Sequence, residues 1–175
     1  MSDEFGRYDA FTKQMEARFP KMFAEPYGGF SCGEGWWPIL EALCGQIQHH
    51  IDWKNKQLEV VPQVTVAQIK EKFGGLRFYY EGGDEQIRGM VQIAEVWADA
   101  SCETCGAPGQ RRGGGWIKTL CDQHEAERQQ RIKQYENQIV YSEMFQLIVL
   151  NKKSQEIILG FFYAIFCLTK TNIVI

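Results

Sequence analysis

Two short pairs of metal-binding residue types constrain this chain more than any other feature. Cys102 and Cys105 form the first pair, Cys121 and His124 form the second, and each pair has two residues between its members. Residues 106–120 separate the pairs, which is a spacing by which a chain wraps four side chains tetrahedrally around Zn²⁺. A Cys3His set is closed and leaves the metal no position for a water. We therefore predict one structural zinc ion that stabilises the fold. The alternative, a redox Cys-x-x-Cys pair, does not predict the second pair.

The span between the two pairs predicts a hairpin. It runs from Gly109 to Leu120, with glycines at the bend. The following helix is expected to run from Asp122 to about Gln138, and its amino-terminal dipole favours the thiolate of Cys121. Knuckle, hairpin and helix in this order form a treble-clef-like zinc module.

Four side chains of this hairpin are candidate binding residues: Arg111, Arg112, Trp116 and Lys118. A glycine-rich tip with two arginines can reach a nucleic-acid groove or a phosphate, and an exposed tryptophan can stack on a base. Alternatively, the arginines offset the net negative charge of a Zn(Cys)3(His) centre while the tryptophan packs over it. Treble-clef nucleases place a catalytic histidine in the hairpin. Here no histidine lies between the ligand pairs, which argues against that class of enzyme.

Charge and cysteine usage narrow the functional classes. The chain has 175 residues with 19 Lys and Arg against 22 Asp and Glu, for a formal net charge of −3. This balance argues against a protein that coats nucleic acid or anionic lipid. The acidic amino terminus with no apolar run after it predicts no signal peptide. Because Cys32, Cys44 and Cys167 show no pattern typical of a disulfide framework, we expect a reducing cytoplasm.

Hydrophobic periodicity before the ligand pairs predicts an α+β fold, with a small β-sheet packed against three or four helices. Helices are expected over 8–18, from Gly35 to about Ile51, over 66–73 and over 84–101, and strands over 58–61 and 76–80. The helix over 66–73 depends on Thr65 and Gln68, which have the spacing of a capping box. We expect an α+β core at 1–101, the zinc module at 102–138 and an apolar C-terminal extension at 139–175.

Two dense apolar runs characterise the extension. They cover residues 145–150 and 157–168. The second run is shorter than the roughly 20 residues needed to span a bilayer. We expect a strand pair or a packed tail, with a surface for a partner or for a homo-oligomer, or a membrane contact, as alternatives.

Several short motifs occur together in the central part of the chain. They are Gly33-Glu34-Gly35-Trp36, Lys70-Glu71-Lys72-Phe73-Gly74-Gly75-Leu76-Arg77-Phe78-Tyr79, Cys102-Glu103-Thr104-Cys105-Gly106-Ala107-Pro108-Gly109 and Gly115-Trp116-Ile117-Lys118-Thr119-Leu120-Cys121-Asp122-Gln123-His124. Over about residues 20–125 this set resembles a family of small proteins encoded by bacteriophages and prophages. The resemblance implies a phage or prophage accessory protein in the bacterial cytoplasm, with a zinc site at the four ligand residues. It implies no reaction.

Two other groups of polar residues are weaker candidates for a metal-binding or catalytic site. His49 and His50 are adjacent on a predicted helix and point about 100° apart, which suits a solvated helix end better than a shared metal. Glu34 and Glu41 can form an acid–base pair only if Glu34 is already helical, which Gly35 disfavours. The sequence therefore names no catalytic residue, and we expect no enzyme.

These observations favour a binding protein that engages a protein partner, such as a host defence protein that it inhibits. A nucleic-acid-binding treble-clef protein is the alternative. An enzyme of unrecognised type is less favoured, and so is a membrane partner.

Overall fold

Residues 2–150, the part of the chain that the computed structural model describes, contain both helices and strands. In chain order they are helix α1 (Ser2–Arg18), strand β1 (Phe30–Ser31), a short 3-10 helix (Glu34–Trp36), helix α2 (Trp37–Lys56), strands β2 (Thr65–Lys72) and β3 (Gly75–Glu81), helix α3 (Glu85–Asp99), strands β4 (Gln110–Arg112) and β5 (Lys118–Leu120), and helix α4 (Asp122–Leu150). This order confirms the predicted α+β class. The chain divides into two compact units, Met1–Ala126 and Glu127–Ile175.

A three-stranded sheet in the order β1-β2-β3 is the main sheet of the first unit. Strand β1 pairs with β2 in parallel, and β2 pairs with β3 in antiparallel fashion. Phe73 and Gly74 form the two-residue turn between β2 and β3, with φ angles of 52° and 76°. Two positive φ angles are typical of a type I′ turn, whose twist matches the twist of the paired strands. The predicted hairpin is confirmed as a second sheet, made of β4 and β5.

The segment predicted as a helix over 66–73 is strand β2, so that prediction is wrong. Val66 and Ile69 are both buried, and their three-residue spacing resembles one face of a helix. The register between β2 and β3 shifts at Ala67. This β-bulge adds one residue to β2, so Val66 and Ile69 face the same side of the sheet. The apparent helical period therefore comes from a bulge in a strand.

The strand predicted over 58–61 is also wrong, because this segment is a turn followed by irregular chain. Leu58 has a φ of 64°, and the Leu58 and Val60 side chains are 90% and 88% exposed. The Asn55 side chain accepts a hydrogen bond from the Val61 N–H at 2.9 Å. Since the segment bonds locally to the end of α2, it does not require a strand partner.

Helices α2 and α3 lie close to their predicted positions. Pro38 lies in the first turn of α2, where its missing N–H leaves no hydrogen bond unmade. Asp84 is the N-cap of α3, and its carboxylate accepts hydrogen bonds from the Gln86 and Ile87 N–H groups at 3.1 and 3.0 Å. Both helix starts follow rules that can be applied to the sequence alone.

The core of the first unit lies between the helices and one face of the main sheet. Aromatic rings of α1, β1 and α2 meet in it, with Phe11 stacked on Trp37 at a centroid distance of 4.4 Å. Its largest fully buried apolar side chains are Met15, Met22, Trp36, Leu40, Ile47, Ile51, Val64, Val66, Ile69, Leu76 and Ile87. Burying each side chain of this size stabilises the fold by about 1.5–3 kcal/mol.

Helix α4 continues past residue 138, where the zinc helix was expected to end. The apolar run at 145–150 is therefore helical, and a strand there is wrong. The run at 157–168, Cys167 and the rest of the predicted tail lie outside the described residues. Within residues 2–150, no helix combines the length and the apolar character needed to cross a membrane.

Candidate metal centre

Three pieces of local structure bring the four predicted ligands together. Cys102 and Cys105 lie in the turn after α3, which we call the knuckle (residues 101–108). Cys121 directly follows β5, and His124 lies in the first turn of α4. The ligand atoms of all four residues lie within 4.8 Å of one another. The structure therefore assembles a cluster that could hold a metal ion.

The distances inside the cluster fit a tetrahedral ion. His124 Nδ1 lies 3.4 Å from Cys102 Sγ and 3.2 Å from Cys121 Sγ. Cys105 Sγ lies 3.9 Å from Cys121 Sγ. Tetrahedral Zn²⁺, with Zn–S of about 2.3 Å and Zn–N of about 2.0 Å, places two sulfurs about 3.8 Å apart and a sulfur and a nitrogen about 3.5 Å apart. These three distances lie close to the tetrahedral values, so the donor set fits an ion of this size.

Backbone amides prepare Cys102 to bind a cation. Burial raises the pKa of this thiol, but the N–H groups of Cys121, Cys105 and Thr104 lower it more, so that the pKa falls to about 6. Gly106 has a φ of 75°, and its N–H donates to the Cys102 carbonyl at 2.8 Å. This left-handed residue closes the turn that points the amides at the sulfur.

The pKa of Cys105 is shifted in the opposite direction. The Ala107 N–H lowers the pKa of Cys105, but burial and the neighbouring thiols of Cys102 and Cys121 raise it further, and the net shift is upward. Like charges on adjacent sulfurs oppose ionisation. A bound dication removes this opposition, so the thiolates and the metal stabilise each other.

The knuckle is joined to the start of α2 by hydrogen bonds over a long sequence distance. The Gly35 N–H donates to the Glu103 carbonyl at 2.8 Å, and the Gly33 N–H donates to the Glu103 carboxylate at 3.1 Å. The Trp36 indole N–H donates to the Ser101 carbonyl at 2.8 Å. The metal cluster and the α+β core are thus parts of one hydrogen-bonded structure.

Glu103 and the Gly33–Trp36 segment support this site, although neither was predicted from the sequence to do so. Glu103 is a buried acid, only 5% exposed, and also accepts from Lys118 at 3.0 Å. Two features of the sequence could have indicated this role. Glu103 lies between the ligands Cys102 and Cys105, and Gly33 and Gly35 leave room for a close approach of another backbone. Only the fold shows that these two segments meet.

The four candidate binding residues of the hairpin do not form one basic surface. Arg111 makes two hydrogen bonds of 2.9 Å to the Asp99 carboxylate, Arg112 pairs with Asp122, and Lys118 pairs with Glu103. Trp116 is 71% exposed, and its indole N–H donates to the Glu71 carboxylate at 2.9 Å. The expectation that Trp116 packs over the cluster is therefore wrong, and the basic side chains are offset mainly by neighbouring carboxylates.

The histidine and glutamate candidates outside the metal cluster do not form a shared site in the structure. His50 is 7% exposed, and its Nε2 lies 2.8 Å from Asp84 Oδ2, so the expectation of a solvated helix end is wrong for His50. Glu34 pairs with Arg7, and Glu41 pairs with Arg18. The two glutamates therefore form ion pairs with different arginines.

Cys32 and Cys44 are buried free thiols. Burial raises the pKa of each to about 12. A thiol in this state is a weak nucleophile and a poor metal ligand. These two cysteines therefore behave as small core residues.

The chain matches no known protein-family model, no curated protein and no solved structure.

Proposed function

We propose that Cys102, Cys105, Cys121 and His124 hold a structural Zn²⁺ ion in a treble-clef-like module, and that the protein acts by binding another macromolecule. The observation that carries the proposal is the closed set of donors, whose spacing matches the edges of a zinc tetrahedron. Soft thiolates with one imidazole favour zinc over calcium or magnesium. Four protein donors leave no open position for a substrate, so this metal stabilises structure.

Elemental analysis of the purified protein tests the metal assignment. We expect one zinc per chain, and we expect Cys105→Ser or His124→Ala to lose it. A matched control is Cys44→Ser, because Cys44 is a buried thiol outside the cluster. Full zinc retention in both ligand variants would contradict the assignment.

The outer face of α3 supports a protein as the partner. Ile93, Val96 and Trp97 are 69%, 69% and 62% exposed, and their spacing of three and four residues places them on one face of the helix. The opposite face of α3 is buried in the core. Helix α3 thus carries two apolar faces, of which one is uncovered within the described part of the chain.

The surroundings of this face define the chemistry of the partner. The neighbouring acids of α3 are already paired, since Glu85 contacts Arg88 and Glu95 lies 3.7 Å from Arg77. A cleft of about 430 Å³ continues the surface and is lined by Glu34, Gly35, Pro38, Ile39, Trp97, Ser101, Thr104, Cys105 and Gly106. An apolar helix face beside a cleft suits an amphipathic protein segment, with Trp97 as the central contact. The resemblance to phage and prophage proteins supports a host protein, such as a defence protein that is inhibited, in this role.

Affinity capture from bacterial lysate, with and without nuclease, tests the proposed class of partner. We expect one specific protein to be retained in both conditions and to be lost with Val96→Ala combined with Trp97→Ala. Alanine keeps the helix intact because it has the highest helix propensity. Trp53→Ala is the matched control, because Trp53 is also exposed but lies on α2. Capture that depends on nuclease, or that survives the double substitution, would contradict the proposal.

A further inference from the structure

A second exposed surface lies beside the turn between β2 and β3. It is a cleft of about 430 Å³ lined by Lys70, Glu71, Lys72, Phe73, Gly115, Trp116 and Ile117. The Phe73 and Trp116 side chains are 67% and 71% exposed. Two large aromatic rings therefore border one cleft and remain accessible to solvent.

Within residues 2–150, the two lysines of this cleft, unlike the basic residues of the hairpin, are not paired with carboxylates. Among the described residues, neither Lys70 nor Lys72 lies within ion-pair distance of a carboxylate. Lys70 Nζ lies 5.4 Å from the centre of the Tyr79 ring, and Lys72 Nζ lies 5.7 Å from the centre of the Phe73 ring. Each ammonium group is thus adjacent to an aromatic ring: that of Lys72 lies by the Phe73 ring at the border of the cleft, and that of Lys70 lies by a ring of β3 outside the cleft lining.

The backbone of Phe73 adds an independent observation. Its φ of 52° lies in the left-handed region, which asparagine and glycine adopt far more easily than phenylalanine. The first position of this type of turn is usually polar or glycine. Phe73 instead holds a large apolar ring in solvent at a strained position, and such outliers occur at binding sites.

We propose that this cleft binds single-stranded nucleic acid, with bases stacked on Phe73 and Trp116 and phosphates bound by Lys70 and Lys72. A nucleotide presents an anion next to a planar ring, which matches a cation next to an aromatic side chain. Protein interfaces are instead depleted of lysine at their centres. This site is separate from the α3 face, so it extends the proposed function.

Glu71 is the one acid of the cleft, and it orients the site. Its Oε2 accepts from the Trp116 indole, while its Oε1 accepts from the Gly74 N–H at 2.7 Å. These bonds hold the indole beside β2, although three glycines precede Trp116 in the bend. The two lysines outnumber this single carboxylate, so the cleft carries a net positive charge.

The exposure of the Phe73 and Trp116 rings favours a polymer strand over duplex DNA or a free nucleotide. Bases in a duplex already stack on one another, whereas bases of a single strand are available to exposed rings. A small-molecule site buries about 70–90% of its ligand, and two rings that are more than half exposed do not enclose one. Affinity must therefore come from several nucleotides of one chain.

Fluorescence anisotropy with a labelled oligothymidylate tests the proposal on the full chain. Two phosphate contacts to a single strand predict a log–log salt slope of about −1.4, so affinity should fall about sevenfold between about 50 and 200 mM salt. Lys70→Ala combined with Lys72→Ala should remove this slope. Lys13→Ala combined with Lys56→Ala is the charge-matched control, because both residues are exposed lysines outside the cleft.

Phe73→Asn tests the stacking contact without a risk to the fold. Asparagine suits the left-handed turn, so this variant should fold at least as well as the wild type while it loses the ring. Loss of one stacked base predicts about 5- to 150-fold weaker binding. Unfolding curves of the same samples establish that the variant is folded.

Four results would overturn the proposal: no binding at about 50 mM salt, unchanged binding by Phe73→Asn, equal affinity for a duplex or a mononucleotide, or displacement of the oligonucleotide by polyglutamate at equal charge concentration. The last result would assign the cleft to an acidic protein segment. Because Val96→Ala with Trp97→Ala leaves the cleft unchanged, loss of oligonucleotide binding and loss of the protein partner can be distinguished.

Discussion

At the scale of single residues, Gly35 shows how closely the knuckle, which carries Cys102 and Cys105, approaches the core. A Cβ atom added to Gly35 would overlap the Cys102 carbonyl oxygen and the Gly106 amide nitrogen, and it would lie 2.7 Å from the Cys105 amide nitrogen. All three are backbone atoms of the knuckle. A side chain at position 35 therefore cannot be accommodated unless the turn that carries two ligands moves.

Gly35→Ala should consequently destabilise the protein by about 1–3 kcal/mol or more and weaken its hold on zinc. Gly45→Ala is the matched control. Gly45 lies inside α2, and its added Cβ would meet only the Phe19 ring, at 3.9 Å, so alanine should raise stability by up to about 1 kcal/mol through helix propensity. Denaturant unfolding of both variants, with zinc release followed by a colorimetric chelator, measures the difference. Equal effects of the two substitutions would show that the close approach does not matter.

The His50–Asp84 pair makes stability depend on pH. Burial raises the pKa of Asp84, but the hydrogen bond with His50 and the N–H groups of Ile87 and Gln86 lower it, and the net shift is downward. A carboxyl with a lowered pKa stabilises the fold above its unfolded pKa of about 3.9, and this contribution is lost as the pH falls through the folded pKa.

Asp84→Asn should therefore lower the free energy of unfolding by about 1 kcal/mol near neutral pH, and its difference from the wild type should shrink below about pH 3.9. Urea unfolding at a series of pH values measures this difference. Asp9→Asn, a change at an exposed residue of α1, should show little difference at any pH. If the difference in free energy of unfolding between Asp84→Asn and the wild type stayed constant with pH, the charge of Asp84 would contribute nothing to stability.

At the scale of elements, sequence rules correctly predicted the features that depend on residues close together in the chain. The ligand spacing predicted the cluster, the glycines predicted the β4–β5 hairpin, and Asp84 predicted the start of α3. The β2 strand was missed because Thr65 and Gln68 have the spacing of a capping box, whereas the pairing with β3, which makes the segment a strand, lies beyond the Phe73–Gly74 turn. Phe73 itself gave no turn signal, because this position of the turn normally carries asparagine or glycine.

The β2–β3 turn yields a prediction about stability that is separate from its proposed ligand. Phe73→Asn should raise the free energy of unfolding by about 0.5–1 kcal/mol, because asparagine relieves the left-handed strain. Phe73→Ala is the control, since it removes the ring and keeps the strain, and it should give no gain. Thermal and urea unfolding compare the two. A stability loss of the same size in both variants would show that the ring packs on the fold.

At the scale of the whole molecule, residues distant in sequence are joined at the metal cluster. The bonds from Gly33 and Trp36 to the knuckle connect residues 70 and 65 positions apart. The Thr119 hydroxyl, fully buried, donates to the Gly74 carbonyl at 2.6 Å across 45 positions. The start of α2, the β2–β3 turn and the β4–β5 hairpin therefore depend on the same small region. No spacing rule reveals these contacts, because they exist only once the sheet and α3 are in place.

Removal of the metal should accordingly unfold the α+β core together with the hairpin. Binding of a structural zinc contributes about 10 kcal/mol in apparent free energy, which is comparable to the total stability of a domain, about 5–15 kcal/mol. We expect a strong chelator to move the thermal transitions seen by tryptophan fluorescence and by far-UV circular dichroism to lower temperature by the same amount. Among the five tryptophans, the buried Trp36 contributes a fluorescence signal from the core, because its indole N–H donates to the knuckle. Readdition of zinc should restore both transitions. If the circular dichroism transition stayed in place while zinc was lost, the core would be independent of the metal. Coincident shifts mean that the zinc holds together one cooperative unit, in which the surfaces of α3 and of the β2–β3 turn are presented on a common scaffold.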